Sequence, residues 1–208
     1  MPYRPTETTR RNAELKRAGF LRAARSLVAA KGFGGATVAA IARESGASVG
    51  SVYSYFENRE HLLAEVFRSA ADHELATVRA AVADAGPRAT DRLGALIRTF
   101  AGRALQGRTM AWSLLFEPVA SAVDAERLVY RRSYTELGEE IVRDGVADGA
   151  FVAQDAALAA SAVMGAVSEA LVGRLHPRQP AGHTASDDDI VEGIRMFCFR
   201  ALGAKETR

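Results

Sequence analysis

Cysteine is almost absent from this sequence of 208 residues, since only Cys198 is present. One cysteine excludes an intramolecular disulfide and argues against a cysteine-based zinc site. Long apolar runs are also missing. The longest stretch without a charged residue is 156–168, whereas a membrane span needs about 20 apolar residues. Residues 1–12 are polar and basic, unlike a secretory signal. We therefore expect a cytoplasmic protein without a membrane span.

Strand signals are equally scarce. No window of strand length alternates β-branched and polar residues, and no Asn-Gly turn separates two such runs. Alanine, the best helix former, is abundant, and apolar residues recur at helical spacing. The sequence therefore predicts an all-α fold.

Thr37, Ser48 and Asn58 are the predicted caps of three helices, and Gly32, Gly46 and Gly86-Pro87 are predicted to end helices. The predicted helices cover about residues 15–31, 38–45, 49–55, 59–84, 90–107, 110–119, 124–148, 155–175 and 187–202. Residues 177–186 include two prolines and a glycine, which predicts a surface loop.

Two of these helices are short and lie on either side of Gly46. Thr37 and Ser48 stand where each would be capped, and Gly46 tolerates the positive φ of a tight turn. Short helices joined by a turn containing glycine predict a helix-turn-helix unit. The residues expected to face inward are Val38, Ile41, Ala42, Val49, Val52 and Phe56.

Charge is unevenly distributed along the chain. Residues 1–60 hold 10 Lys+Arg against 5 Asp+Glu, whereas residues 61–208 hold 17 against 20. A basic head on a mildly acidic body favours contact between the head and a polyanion, with a chance gradient as the alternative.

The segment 37–63, TVAAIARESGASVGSVYSYFENREHLL, resembles the DNA-binding head of the tetracycline-repressor (TetR, AcrR-like) family of bacterial transcription regulators. The shared features are the opening Thr, an Ala-Ile-Ala core, the turn Gly, the run Ser-Val-Gly-Ser-Val-Tyr-Ser-Tyr-Phe and an Asn-Arg-Glu-x-Leu-Leu helix start. The similarity covers about residues 12–70. It implies a homodimer with a helix-turn-helix DNA-binding domain over residues 1–60 and a ligand-binding and dimerisation domain over residues 61–208.

A recognition helix must fit a major groove about 12 Å wide, which favours small or polar residues on its outer face. The resemblance adds Tyr53 and Arg59 as phosphate contacts. The predicted DNA-binding residues are Arg10, Arg11, Thr37, Ser48, Val49, Gly50, Ser51, Tyr53, Ser54, Tyr55 and Arg59. Simpler roles stay open: a cap for Thr37, packing for Tyr53, and a solvated tail for Arg10 and Arg11.

Two positions depart from the family pattern, since Tyr55 stands where many members have His and Glu57 where Lys is frequent. Few long side chains remain on the recognition helix. We therefore expect backbone positioning and DNA shape to carry much of the sequence specificity.

The resemblance implies a small-molecule pocket among the middle helices, whereas an ordinary core is the simpler interpretation of the same aromatic residues. The predicted lining is Phe67, Phe100, Trp112, Leu115, Phe116, Tyr130, Tyr134 and Met164, with His73, Arg103, Glu117 and Glu169 as polar anchors. Trp112 is the preferred wall residue. The last two helices are the predicted dimer surface, through Ala156, Ala159, Ala160, Val163, Gly165, Ala166, Ala170, Met196, Phe197, Phe199 and Leu202.

The expected function is that of a repressor, which binds a palindromic operator in double-stranded DNA as a homodimer and is released by a small, largely apolar effector. An activator on the same scaffold and a non-specific architectural DNA-binding protein are the alternatives. The sequence has no His-Glu-x-x-His or P-loop pattern. No enzymatic activity, catalytic residue, metal or cofactor is therefore predicted.

Overall fold

A computed structural model describes residues 7–176 and 185–204 of the chain. These residues form helices and no strand, which confirms the all-α prediction. The helices are α1 (Glu7–Gly35), α2 (Val38–Glu44), α3 (Val49–Tyr53), α4 (Arg59–Asp84), α5 (Ala89–Gln106), α6 (Arg108–Leu115), α7 (Ser121–Ala147), α8 (Ala156–Leu175) and α9 (Asp187–Ala201).

Capping side chains fix where the helices of the helix-turn-helix unit begin. The Thr37 hydroxyl accepts from the Ala40 N–H at 3.1 Å, and the Ser48 hydroxyl accepts from the Ser51 N–H at 3.2 Å. Between them, Gly46 has φ 65°, a left-handed conformation that suits glycine. The predicted caps and turn are therefore confirmed.

Three helix boundaries differ from the prediction by more than three residues. Helix α1 ends at Gly35 and not at residue 31, although Gly32 interrupts it with a φ of 73°. Helix α1 is already formed at Glu7, where the described residues begin, and so extends at least eight residues before its predicted start at residue 15. Helix α6 ends at Leu115, because Glu117 precedes Pro118 and the residue before a proline disfavours the α conformation. The predicted loop covers residues 177–186, of which positions 177–184 lie outside the described residues.

Buried apolar side chains form two clusters, and helices α4, α6 and α7 contribute residues to both. The first cluster joins α1, α2 and α3 to the start of α4 and includes Phe20, Ile41 and Val52. The second joins the end of α4 to α5, α7, α8 and α9, including the buried thiol of Cys198. Helix α6 lies between the clusters, since it contributes residues to both.

Val49 does not take the inward position predicted for it, since its side chain is 42% exposed. Helix α3 has only five residues, so a single apolar face is enough to attach it. Val52 supplies that face within α3, being 1% exposed, and Phe56 packs just beyond the helix.

Helix α8 is the one helix among the described residues that is long and apolar enough to cross a membrane. Its most apolar window has a hydropathy of 1.6, and 33% of that window is buried. The expectation that no segment qualifies is therefore not met here, because its charges, Glu169 and Arg174, lie near its end. Helix α8 packs against α5, α6, α7 and α9, and core helices of soluble proteins meet the same criteria.

Candidate functional site

Helix α3 presents an exposed surface with little side-chain bulk. Ser48, Gly50 and Ser54 are exposed, and the Tyr53 ring is 51% exposed. A Cβ atom added at Gly50 would meet no atom within 4 Å. The packing of the chain therefore gives no reason for glycine at this position, whereas close approach of another molecule would.

A groove of about 300 Å³ separates α3 from α1, and it brings a basic side chain next to two predicted contacts. Ser48 and Ser51 line this groove together with Lys16 of α1. Lys16 Nζ also lies 6.0 Å from the centre of the Tyr55 ring. The sequence interpretation overlooked Lys16, although its position four residues before the buried Phe20 is a usable signal.

Tyr55 is half-buried, and its ring lies 5.6 Å from that of Phe20. Thr37 remains exposed beside its capping role, and Arg10 and Arg11 are exposed in the first turns of α1. All of these DNA contacts stay predictions.

Arg59, whose predicted phosphate contact stays a prediction, makes hydrogen bonds within the chain. Its guanidinium donates to the carbonyl oxygens of Phe33 at 2.6 Å and Ala36 at 3.1 Å. These carbonyls lie at the corner between α1 and α2, where regular helical bonding is interrupted. Arg59 therefore holds this corner to the start of α4.

Helices α4 to α7 enclose a cavity of about 110 Å³ in the body of the protein. Most of its wall is apolar or aromatic. The lining residues are Phe67, Ala71, Glu74, Val78, Phe100, Arg103, Ala104, Gly107, Met110, Ala111, Leu114, Leu115, Arg127, Tyr130, Arg131 and Tyr134. An apolar wall with a few polar groups is typical of a ligand site.

The charged groups around the cavity carry an excess of positive charge. Arg103 donates two hydrogen bonds to Glu74, at 2.6 and 2.9 Å, and this pairing raises the pKa of Arg103. Arg127 and Arg131 add two further guanidinium groups. Burial lowers the pKa of Arg127, whereas Arg131 is exposed.

Two tyrosines, Tyr130 and Tyr134, line the wall. Tyr130 donates to the Asp72 carboxylate at 2.5 Å, and burial together with this bond raises its pKa. Burial also raises the pKa of Tyr134, whose ring packs edge-on against Phe100 at 5.1 Å. Both hydroxyls are therefore neutral hydrogen-bonding groups at physiological pH.

The cavity wall includes Phe67, Phe100, Arg103, Leu115, Tyr130 and Tyr134 among the predicted lining residues and polar anchors, whereas the other six predicted residues lie elsewhere. Trp112 packs against Phe116 and the His176 ring, at 5.5 and 4.5 Å. His73 and Glu169 are exposed, and Met164 belongs to the core of the body. Glu117, the sixth, accepts hydrogen bonds from the N–H groups of Phe33 and Gly34. None of the six lines this cavity, since helical spacing does not reveal which neighbour a face will meet, and their contact with a ligand stays a prediction.

The sequence interpretation also missed Glu74, Arg127 and Arg131. A signal was available on α7, where residues 127, 130, 131 and 134 follow the spacing i, i+3, i+4 and i+7 of one helix face. In the described ranges, 7–176 and 185–204, no cluster of three or more His, Cys, Asp or Glu residues is arranged to hold a metal.

The predicted dimer surface divides between two environments. Among its residues, Met196 and Phe197 are 40% and 61% exposed. Leu158 of α8, which the prediction did not include, is 70% exposed. Ala160, Val163 and Leu202 instead belong to the core, where Ala160 lies close enough to Gly138 for tight packing of α8 on α7. The small residues of α8 therefore serve the fold on one face and leave another face open.

Two family models match the sequence. Residues 20–66 match the model described as bacterial regulatory proteins, tetR family. Residues 86–171 match the model described as tetracyclin repressor-like, C-terminal domain. Together these segments cover more than half of the chain. Among curated proteins, none matches the sequence.

Solved structures share the fold over nearly the whole chain. A TetR/AcrR-family transcriptional regulator from Thermobifida fusca is 25% identical, with a TM-score of 0.66 over 93% of this chain and 99% of that one. FadR from Bacillus subtilis, in complex with stearoyl-CoA, is 17% identical, with a TM-score of 0.72 over 91% and 99%. AibR, in complex with isovaleryl coenzyme A and operator DNA, is 17% identical, with a TM-score of 0.69 over 91% and 100%. From these family matches and the helix-turn-helix geometry, the chain belongs to the tetR family, as a ligand-responsive, DNA-binding transcription regulator.

Proposed function

We propose that the protein is a cytoplasmic repressor that binds a palindromic operator as a homodimer and leaves it when an effector fills the body cavity. The observation that carries this proposal is that α4 extends from the helix-turn-helix unit to the wall of the cavity. Its first half, including Leu62, packs in the cluster of the helix-turn-helix unit, and its second half supplies Glu74 and Val78 to the cavity wall. A ligand there touches the helix that supports the DNA-binding head.

We assign DNA binding to residues 1–60, and effector binding and dimerisation to residues 61–208. Contacts with DNA come from Thr37 and the exposed face of α3, with Lys16 added at its edge. Small groups such as Gly50 allow the backbone to approach the bases closely. Exposed Val49 can contact a thymine methyl group, the apolar feature of the major groove.

The effector in this proposal has an apolar body and an anionic head group. The wall is apolar around Phe67, Phe100 and Leu115, whereas Arg103, Arg127 and Arg131 outnumber the single carboxylate of Glu74. Stearoyl-CoA and isovaleryl coenzyme A, the ligands named for the two neighbours, share this chemistry. An acyl thioester of coenzyme A is therefore our first candidate.

Dimerisation in this proposal uses the open faces of α8 and α9, around Leu158 and Phe197. Each protomer then carries one head, and the two heads meet half-sites one helical turn of DNA apart, about 34–36 Å, or a multiple of that distance. No catalytic role is assigned to any residue.

Selection from a random pool of DNA duplexes tests operator binding. We expect an inverted repeat, a footprint limited to that site, and two protomers per repeat by analytical ultracentrifugation. Uniform coverage of any duplex would contradict the proposal, because it indicates architectural binding.

Thermal unfolding tests the effector class with stearoyl-CoA, isovaleryl-CoA, stearate and coenzyme A alone. At 100 times its Kd, a ligand stabilises the protein by about 2.7 kcal/mol, which corresponds to about 5–10 °C in Tm for a chain of this size. An acyl-CoA should raise Tm and release the selected operator, whereas coenzyme A alone should do neither. Release by stearate alone would identify a free carboxylate as the effector class.

A further inference from the structure

The corner between α1 and α2 is bound by a carboxylate from the body of the protein. Gly32 has φ 73° and ψ 179°, a conformation open essentially to glycine alone, and it interrupts the helix there. The next two backbone N–H groups, of Phe33 and Gly34, donate to Glu117 Oε2 and Oε1, each at 2.9 Å. Glu117 follows α6, more than 80 residues further along the chain.

Glu117 is also connected to the wall of the cavity. Its carbonyl oxygen accepts from Arg127 Nη2 at 2.7 Å, and Arg127 Nε donates to the Leu114 carbonyl at 2.9 Å. The Arg127 side chain is 12% exposed and lines the cavity, as does Leu114. A ligand that displaces Arg127 or α6 therefore displaces the backbone of Glu117 as well.

The bound corner leads directly into the helix-turn-helix unit. Helix α2 begins at Val38, one residue after the Thr37 cap. Arg59, at the start of α4, holds the same corner through the carbonyls of Phe33 and Ala36. Movement of Glu117 therefore displaces a corner to which α1, α2 and α4 are all attached.

We propose that Glu117 is the positioning residue that carries effector occupancy from the cavity to the DNA-binding head, through Arg127 and the end of α6. This inference rests on the proposed function, and it adds a second connection beside α4. A carboxylate suits the role because its two oxygens accept from two amide groups at once. A glutamine has one oxygen and satisfies one of them.

The test places larger side chains in the cavity wall and measures whether operator binding changes. Ala111→Leu on α6 and Ala104→Leu on α5 each add bulk to the wall and act as fixed stand-ins for a ligand. Kd for the selected operator is measured for each filled variant, alone and combined with Glu117→Gln. We expect filling to weaken operator binding at least 5-fold in the presence of Glu117, and less than 2-fold in the Glu117→Gln background.

Glu126→Gln is the matched control. Like Glu117→Gln, it removes one negative charge, here from α7, and it breaks the ion pair between Glu126 and Arg68 of α4. It leaves the hydrogen bonds of the α1–α2 corner in place. The effect of filling should persist in full in this background. Hydrogen exchange provides a direct second readout, since the amides of Phe33 and Gly34 should exchange faster in Glu117→Gln and at the normal rate in Glu126→Gln.

Equal weakening with and without Glu117 would overturn the inference, and so would a filled cavity that leaves Kd unchanged in every background. Unchanged exchange at Phe33 and Gly34 in Glu117→Gln would overturn it independently of DNA. Should Glu117→Gln fail to fold, Glu117→Asp keeps the carboxylate but shortens its reach, and an intermediate response is then expected. Failure to select any duplex refutes the proposed function itself, a separate outcome.

Discussion

Replacing Gly50 by alanine should stabilise the protein and weaken its binding to DNA. Gly50 lies in α3 without a positive φ, and a Cβ there meets no atom within 4 Å. Alanine at a compatible helical position adds about 0.4–1 kcal/mol to the free energy of unfolding, largely by restricting the unfolded chain. For a chain of this length we expect Tm to rise by about 1–4 °C.

The same methyl group should obstruct the operator. If the Gly50 face lies against DNA, the added carbon enters a packed interface, and overpacking typically costs about 1–3 kcal/mol. Since 1.4 kcal/mol is about tenfold in Kd, each half-site should lose about 5- to 150-fold in affinity. Thermal unfolding and titration of the selected operator, on the same preparation, measure both effects.

Gly102→Ala is the matched control, because Gly102 lies in α5, also without a positive φ and with no atom within 4 Å of an added Cβ. It should raise Tm by a similar amount and leave Kd unchanged. If Gly50→Ala is more stable but binds the operator normally, α3 does not approach DNA as proposed. If it is less stable, the face is not open.

Three further predictions concern DNA reading, assembly and pH. Val49→Ala removes two exposed methyl groups. At about 0.8 kcal/mol for each group, operator affinity should fall about 15-fold, with Tm unchanged. The control Val152→Ala, at another exposed valine, should bind the operator normally, and equal Kd values for the two variants would refute the thymine contact. Phe197→Glu should give monomers in analytical ultracentrifugation. The control Leu128→Glu on α7, where the side chain is 60% exposed, should remain dimeric. A dimeric Phe197→Glu variant would exclude the α9 face as the dimer surface. Burial raises the pKa of Tyr134, so the folded protein keeps a proton that the unfolded chain loses above about pH 10. The free energy of unfolding in urea should therefore fall as pH rises past about 10, and less steeply in Tyr134→Phe; identical slopes would contradict a protonated, buried Tyr134.

Local chemistry made the helix-turn-helix unit predictable from the sequence. Thr37 and Ser48 cap helices with hydroxyl groups that reach only three residues ahead, and Gly46 supplies its turn without any distant partner. Such interactions involve only neighbouring residues, so these caps and this turn form independently of contacts with the remainder of the chain. The small outer face of α3 could be recognised for the same reason.

The cavity was predictable only in part. Tyr130 and Tyr134 lie on its wall, but Trp112, the preferred candidate, packs against Phe116 and His176. Spacing identifies residues that share a helix face. It does not state which other helix that face will meet, or whether the space between them will be filled.

By itself, the sequence determined the helical class, the ends of most helices and the small, exposed recognition helix, because each depends on contacts within a few residues. Tertiary structure alone decided that Glu117 binds the amides of Phe33 and Gly34, that Arg59 holds the same corner, and that Arg127 and Arg131 border a cavity. These contacts join residues separated by tens of positions, and only the packing of α6 between the two buried clusters brings them within hydrogen-bonding distance.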